Sequence, residues 1–138
     1  MSQENKQTKQ VLIWNDALRN KTGHRVRCGK IAAQISHGSL AFLTRNGVWT
    51  DRLFTTSPKD SKAAKDWMDM SFKKITLKVE SEEELLEIFE KAKAAGLETH
   101  LVIDNGETEF NGPTKTVVAI GPHEADKIDP ITSHLKPL

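Results

Sequence analysis

The sequence predicts an α/β domain, and three observations predict it. Short runs of β-branched and large apolar residues alternate along the chain with segments of helical period. The helix boundaries carry capping and stop residues. The length of 138 residues, with 37% apolar and 28% charged residues, suits one modest core and is too apolar for a disordered chain.

Taken in order, residues 1–9 read as a polar N-terminal arm and residues 10–138 as a single domain. Gln10-Val11-Leu12-Ile13-Trp14-Asn15 has the composition of a buried strand. Residues 17–29 are polar with two glycines and read as a loop; with Arg19, Lys21, Arg25 and Arg27 it is the densest basic stretch in the chain. A helix is expected from Lys30 to about Thr44, because Ile31, Ile35 and Phe42 recur on one face. Its small residues Ala32, Ala33, Ser36 and Gly38 would let it lie close against a sheet.

Asn46-Gly47 is a turn signal, and the stretch from there to Pro58 has no clean period and receives no assignment. Lys62–Met70 suits a short helix, and Lys74–Val79 alternates as a strand with one wetter face would. Ser81-Glu82-Glu83-Glu84 is a capping box, in which the Ser81 hydroxyl accepts from the Glu84 N–H and the Glu84 carboxylate reaches back to the Ser81 N–H. The stripe Leu85, Ile88, Phe89 and Ala92 follows, and Gly96 supplies the stop. Thr99–Ile103 is a third strand, Asp104–Thr108 a loop, Asn111-Gly112-Pro113 a turn and Thr116–Ile120 a fourth strand. The tail, with Pro122, Pro130 and Pro137, reads as a turn, a short helical piece and an extended end. Strands separated by helices imply a sheet with parallel members and helices on both faces.

Net charge is +1, so binding to a polyanion must come from local clustering rather than bulk charge. The single cysteine, Cys28, excludes an internal disulfide framework and fits a reducing compartment. The polar start and the lack of any apolar run near the roughly 20 residues that span a bilayer argue against secretion and membrane insertion, leaving the cytoplasm as the expected location.

In open α/β sheets ligands bind beyond the carboxyl ends of the strands. Two loops qualify here: the basic loop leading into Lys30, and the segment that begins at Asp104. Were the first and third strands adjacent and parallel, an ammonium, a carboxylate and the Thr108 hydroxyl would surround one cleft. Lys30, Gln34, His37 and Ala41 share a helical stripe whose N-terminal end is polar, where an ammonium beside free helix N–H groups favours phosphate oxygens or a developing oxyanion. Spacing alone favours a solvated Lys30 and an Asx-turn role for Asp104, and it fits hydrogen-bonded border residues at Gln34 and His37 as well as it fits a site. Cys28, just before a helix start, offers a competing thiol nucleophile with His24 or His37. The histidines show no metal-ligand spacing, and no Gly-rich phosphate cradle is present.

Two segments together resemble one family. Gly29-Lys30-Ile31-Ala32-Ala33-Gln34-Ile35-Ser36-His37-Gly38 resembles the GK(I/V)AAQ-x-(S/A)HA signature of the type 2 peptidyl-tRNA hydrolases. Asp104-Asn105-Gly106-Glu107-Thr108, Thr116 to Pro122 and Asp129 to Lys136 resemble that family's DAG-x-T, TVLGIGP and D-x-(I/V)TG-(H/D)LK segments, in order. The resemblance implies a three-layer α/β/α sandwich around a four-stranded mixed sheet, often dimeric. It implies hydrolysis of the ester between peptide and tRNA, recycling tRNA from stalled translation, with no metal or organic cofactor. The matching site positions are Lys30, Gln34, Asp104 and Thr108 as catalytic residues, with Thr116 and His37 beside the substrate and Arg19, Lys21, Arg25 and Arg27 against the tRNA backbone. This chain departs from the pattern in its longer first loop with Arg27-Cys28 before Gly29, and at Ile103, Asn105 and Glu107, the last reversing a usually positive charge. A catalytically weak relative that binds RNA or a protein partner is the alternative from another class.

Overall fold

A computed structural model describes residues 6–138; the first five residues of the expected arm lie outside the described residues. The elements run β1 (Thr8–Asn15), α1 (Cys28–Thr44), β2 (Gly47–Thr50), β3 (Leu53–Thr56), α2 (Ser61–Asp69), β4 (Lys74–Val79), α3 (Glu82–Ala94), β5 (Thr99–Asp104), β6 (Thr114–Glu124), α4 (Ala125–Thr132) and β7 (Lys136–Pro137). The α/β class holds.

The main sheet has the order β5-β6-β1-β4-β7. It is mixed, as expected: β1 and β4 pair in parallel, while β1/β6, β5/β6 and β4/β7 are antiparallel. It has five strands rather than four. The extra strand is the proline-bearing tail, which lies on the outer side of β4, with the Leu138 N–H donating to Thr76 O at 3.1 Å. An open strand edge leaves a row of unpaired backbone groups, and a tail that lies along it satisfies some of them. Proline is tolerated there because an outermost strand has one side that needs no donor.

A second expectation is corrected by the topology. β1 and β5 are not neighbours, because β6 lies between them and runs antiparallel to both. Two strands antiparallel to a common partner run in the same direction, so the carboxyl ends of β1 and β5 still reach one edge of the sheet. The start of β6, with Thr116, is inserted between them. The cleft therefore draws on three strands instead of two.

Period-two alternation divides the core. Val11, Ile13, Val118 and Ile120 face α3 and α4, where they pack on Leu85, Ile88, Ile128 and Ile131. Trp14, Val102 and Val117 face the other way, toward Ile31 of α1. Farther along that helix, Phe42 meets the edge of Trp67 from α2, with ring centroids 5.8 Å apart. Gly38 lets α1 lie flush on the sheet, since a Cβ there would stand 3.0 Å from Val117 Cγ1. Helices thus cover both sheet faces, as three layers.

α3 shows how the sequence terminates its elements. The Ser81 hydroxyl accepts from the Glu84 N–H at 3.0 Å, but the Glu84 carboxylate accepts from Glu80 N–H at 3.4 Å, so only half of the expected capping box forms. At the other end Gly96 adopts φ +78°, and the Leu97 N–H bonds to Ala92 O, closing the helix with a Schellman turn. Ser81→Ala leaves the Glu84 N–H without its acceptor and is expected to cost about 1 kcal/mol, read as a lowered midpoint in urea at unchanged slope.

The unassigned stretch after Asn46 folds as the separate β2–β3 hairpin. Val48, Trp49 and Leu53 are exposed there, Trp49 by 70%. With no buried face to enforce alternation, such a hairpin leaves no period to read. Among the described residues, no helix is long and apolar enough to cross a membrane.

Candidate active site

Lys30 sits in the first turn of α1, where the basic loop hands the chain to the helix. Its ammonium donates to Asp104 Oδ1 at 2.9 Å and to Thr108 Oγ1 at 3.0 Å. One helical turn on, Gln34 Nε2 donates to the same Asp104 oxygen at 3.2 Å, and Gln34 Oε1 accepts from the Thr116 hydroxyl at 2.7 Å. The second carboxylate oxygen, Asp104 Oδ2, accepts the Gly106 N–H at 2.9 Å. Five side chains from α1, β5, its following loop and β6 thus form one connected network. Gln34 and Thr116 are its buried base; Lys30 and Asp104, 15% and 13% exposed, are its mouth.

The surroundings set the charge state of Asp104. Partial burial pushes its carboxyl up, but the hydrogen bonds from Lys30 and the Gly106 N–H, the Lys30 charge and the Gln34 amide outweigh that and hold it below its ordinary value. Asp104 is therefore held as a carboxylate, with the Lys30 nitrogen 2.9 Å from its Oδ1. The Asx-turn geometry at Gly106 and the ion pair with Lys30 coexist, one on each carboxylate oxygen. His37 lies farther along the same helical stripe, exposed, beside a polar groove that it shares with Gln34 and Asp104.

The basic loop does not converge on this network. Arg19 is exposed but engaged within its own loop, its guanidinium donating to the carbonyls of Asp16 and Leu18 at 3.1 and 2.8 Å. Arg25 makes a 3.4 Å contact with Asp16, and the Lys21 side chain is exposed. Arg27, directly before α1, is paired with Glu109 at 2.6 Å although its side chain is 80% exposed. Glu109 is a contact that sequence reasoning missed. It is 8% exposed, its backbone oxygen accepts the Lys21 N–H at 2.8 Å, and it ties the Thr108 loop to the basic loop. A glutamate amid Gly, Asn and Thr looks solvated in sequence; only the approach of the two loops buries it. Glu107, the reversed charge, is exposed next to Thr108.

The thiol alternative lacks its geometry. Cys28 is exposed, and among the described residues it makes no hydrogen bond to a histidine; His24 Nδ1 instead contacts Thr22 Oγ1 at 2.9 Å. Among the described residues no group of three or more His, Cys, Asp or Glu side chains is arranged to hold a metal ion.

Comparison with known proteins bears on this arrangement. The family model described as Peptidyl-tRNA hydrolase PTH2 matches residues 8–138. The chain is 39% identical over 127 residues to a peptidyl-tRNA hydrolase of Methanocaldococcus jannaschii, an alignment that covers 91% of this chain and 95% of the relative. It is 40% identical over 127 residues to the peptidyl-tRNA hydrolase of Methanococcus maripaludis strain C6, covering 91% and 94%. To a probable peptidyl-tRNA hydrolase 2 of Dictyostelium discoideum it is 36% identical over 129 residues, covering 93% of this chain and 53% of that longer protein.

Proposed function

The chain belongs to the peptidyl-tRNA hydrolase PTH2 family, and from that premise we propose that it hydrolyses the ester joining a peptide to the 3′ ribose of tRNA, with Lys30, Gln34, Asp104 and Thr108 as its catalytic residues. The observation that carries the assignment of the site is the continuous network from Lys30 through Asp104 and Gln34 to Thr116, with Thr108 on its open side.

Hydrolysis needs a water oxygen to bond to the ester carbonyl carbon, negative charge to be held on the carbonyl oxygen, and the bond to the ribose 3′ oxygen to break as that oxygen gains a proton. Lys30 is the only cation within the network and stands at its mouth, where it can face the developing oxyanion. Asp104 and Thr108 supply oxygen acceptors that orient the attacking water. A carboxyl held below its ordinary value is a weak proton acceptor at neutral pH, so Asp104 acts mainly by orienting water and by anchoring Lys30. Gln34, braced by Thr116, fixes the carboxylate rotamer. These roles call on no metal or organic cofactor. Release of labelled peptide from peptidyl-tRNA by the purified protein tests the reading, and no release under any condition would overturn it.

Exposed Lys21, Arg25 and Arg27 beside the start of α1 suit the phosphate backbone of the acceptor stem. Affinity for tRNA is then expected to fall on the order of tenfold between 50 and 200 mM salt. Lys21→Ala or Arg25→Ala should each flatten the salt slope by about one unit. Arg27→Ala should do less, because Arg27 must leave Glu109 to reach a phosphate. Slopes unchanged in all three variants would place the tRNA elsewhere. Arg19, spent on the loop's own carbonyls, shapes the surface, and His37 borders the substrate groove. A cytoplasmic homodimer belongs to the same proposal, with sedimentation equilibrium as the test of the assembly.

A further inference from the structure

We propose that the peptide half of the substrate binds as an added strand, parallel to β5, in the groove between β5 and α1, and that this strand delivers its carboxyl-terminal carbonyl to Asp104. The inference rests on the hydrolase reading above and says how the site holds the arm that is not tRNA.

β5 is an edge strand whose partner is β6. Along an antiparallel pair, alternate residues turn both backbone groups away from the partner. Val102 turns its carbonyl toward β6, where the Thr116 hydroxyl stands 3.3 Å away, and Leu101 turns its carbonyl out, where the Arg45 guanidinium reaches it at 3.0 Å. Ile103, just past the register shift that separates it from Val102, is 51% exposed and lines the outer side of the strand. A polar groove of about 310 Å³ runs along this edge, with His37, Thr44 and Arg45 on the helix side, Val102 and Ile103 on the strand side and Asp104 at one end. It is continuous with the catalytic network, sharing Gln34 and Asp104 with it.

The two arms of the ester differ in chemistry, and the two flanks of the site differ to match. The basic loop adjoins the N-terminus of α1, whereas the groove follows that helix toward Arg45, about 22 Å from Lys30 at 1.5 Å per residue. The polyanionic arm takes the basic flank. The groove is left for the peptide. A peptide of no fixed sequence offers only its main chain as a constant feature, and an open strand edge recognises main chain. Its ester carbonyl must lie at Asp104, the carboxyl end of β5, so the peptide runs in the direction of β5. In a parallel ladder the residue opposite Val102 donates its N–H to Leu101 O and accepts the Ile103 N–H. Arg45 occupies Leu101 O in the free protein, which masks the edge until substrate arrives. Leu101 to Asp104 spans three steps, roughly 10 Å at 3.3 Å per residue, so contacts should be complete at about three peptide residues.

The test measures kcat/KM on one tRNA carrying N-acetylated peptides of increasing length, one to five residues, and on the three-residue peptide N-methylated at each amide in turn. The expected result is a rise of about tenfold up to three residues and no further gain, with the gain abolished by N-methylation at one amide alone. Hydrolysis of every substrate at one rate, or equal sensitivity at every amide, overturns the added strand while leaving the hydrolase reading intact. Hydrolysis of none overturns both. In parallel, a tripeptide joined by an amide to 3′-amino-3′-deoxyadenosine should shift the backbone amide resonances of Leu101 and Ile103, and a CCA trinucleotide should not. Shifts at Leu101 and Ile103 with CCA alone would assign the groove to the tRNA end and overturn the proposal.

Discussion

Asp104→Asn is expected to lower kcat/KM for peptidyl-tRNA by at least about a hundredfold, the scale of a lost positioned base or water-orienting carboxylate. The substitution keeps the shape of the side chain, so a loss of that size reads the charge and its acceptor capacity. Asp104 Oδ1 receives both Lys30 and Gln34, and an amide cannot serve both and still orient a water. The pH profile gives an independent check. Partial burial raises the carboxyl, but the Lys30 and Gly106 hydrogen bonds, the Lys30 charge and Gln34 lower it further, so its folded value lies below its unfolded one. Its contribution to stability is therefore complete above the unfolded value of about 3.9 and is lost as pH falls through the folded value. The acid limb of activity should accordingly lie below about pH 4 in the wild type and move upward in Lys30→Ala, where the main lowering partner is gone. Activity near wild type in Asp104→Asn would remove the carboxylate from the mechanism.

The parts of this molecule that were legible in sequence are those whose cause is local or periodic. Ser81 and Gly96 bound α3 because caps act within one turn, and the Lys30–Gln34 spacing placed two side chains on one stripe because helical geometry requires it. What escaped was set by long-range approach. The insertion of β6 between β1 and β5 depends on strand pairing across the whole chain, and it is this insertion that brings Thr116 under Gln34. The same holds for Glu109, buried only where two loops meet, and for β7, whose two residues form a strand solely because the edge of β4 is open. The hairpin β2–β3, exposed on its large side chains, had no pattern to show. Spacing alone argues for a solvated Lys30; its position 2.9 Å from Asp104 and 3.0 Å from Thr108 brings it into the network.

Lys30→Ala is expected to reduce kcat by about 100- to 1,000-fold, the range for loss of one preorganised donor to an oxyanion. The removal acts twice. It takes away the cation proposed to face the oxyanion, and among the described residues it leaves the Asp104 carboxylate, 13% exposed, with only the Gly106 N–H and Gln34 as partners. Thr108 loses its tether as well, which on the proposed mechanism loosens the hold on the attacking water. How the loss divides between kcat and KM separates the two jobs open to an ammonium here. An oxyanion partner lowers kcat with KM little changed, whereas a phosphate partner raises KM and flattens the salt slope. Because Lys30 and Asp104 act through one contact, the double variant Lys30→Ala/Asp104→Asn should lose far less than the product of the single losses. Cys28→Ser, altering an exposed thiol outside the network, should retain activity. Fully multiplicative losses in the double variant would mean that the 2.9 Å ion pair is a structural contact and that the chemistry draws on the two residues separately.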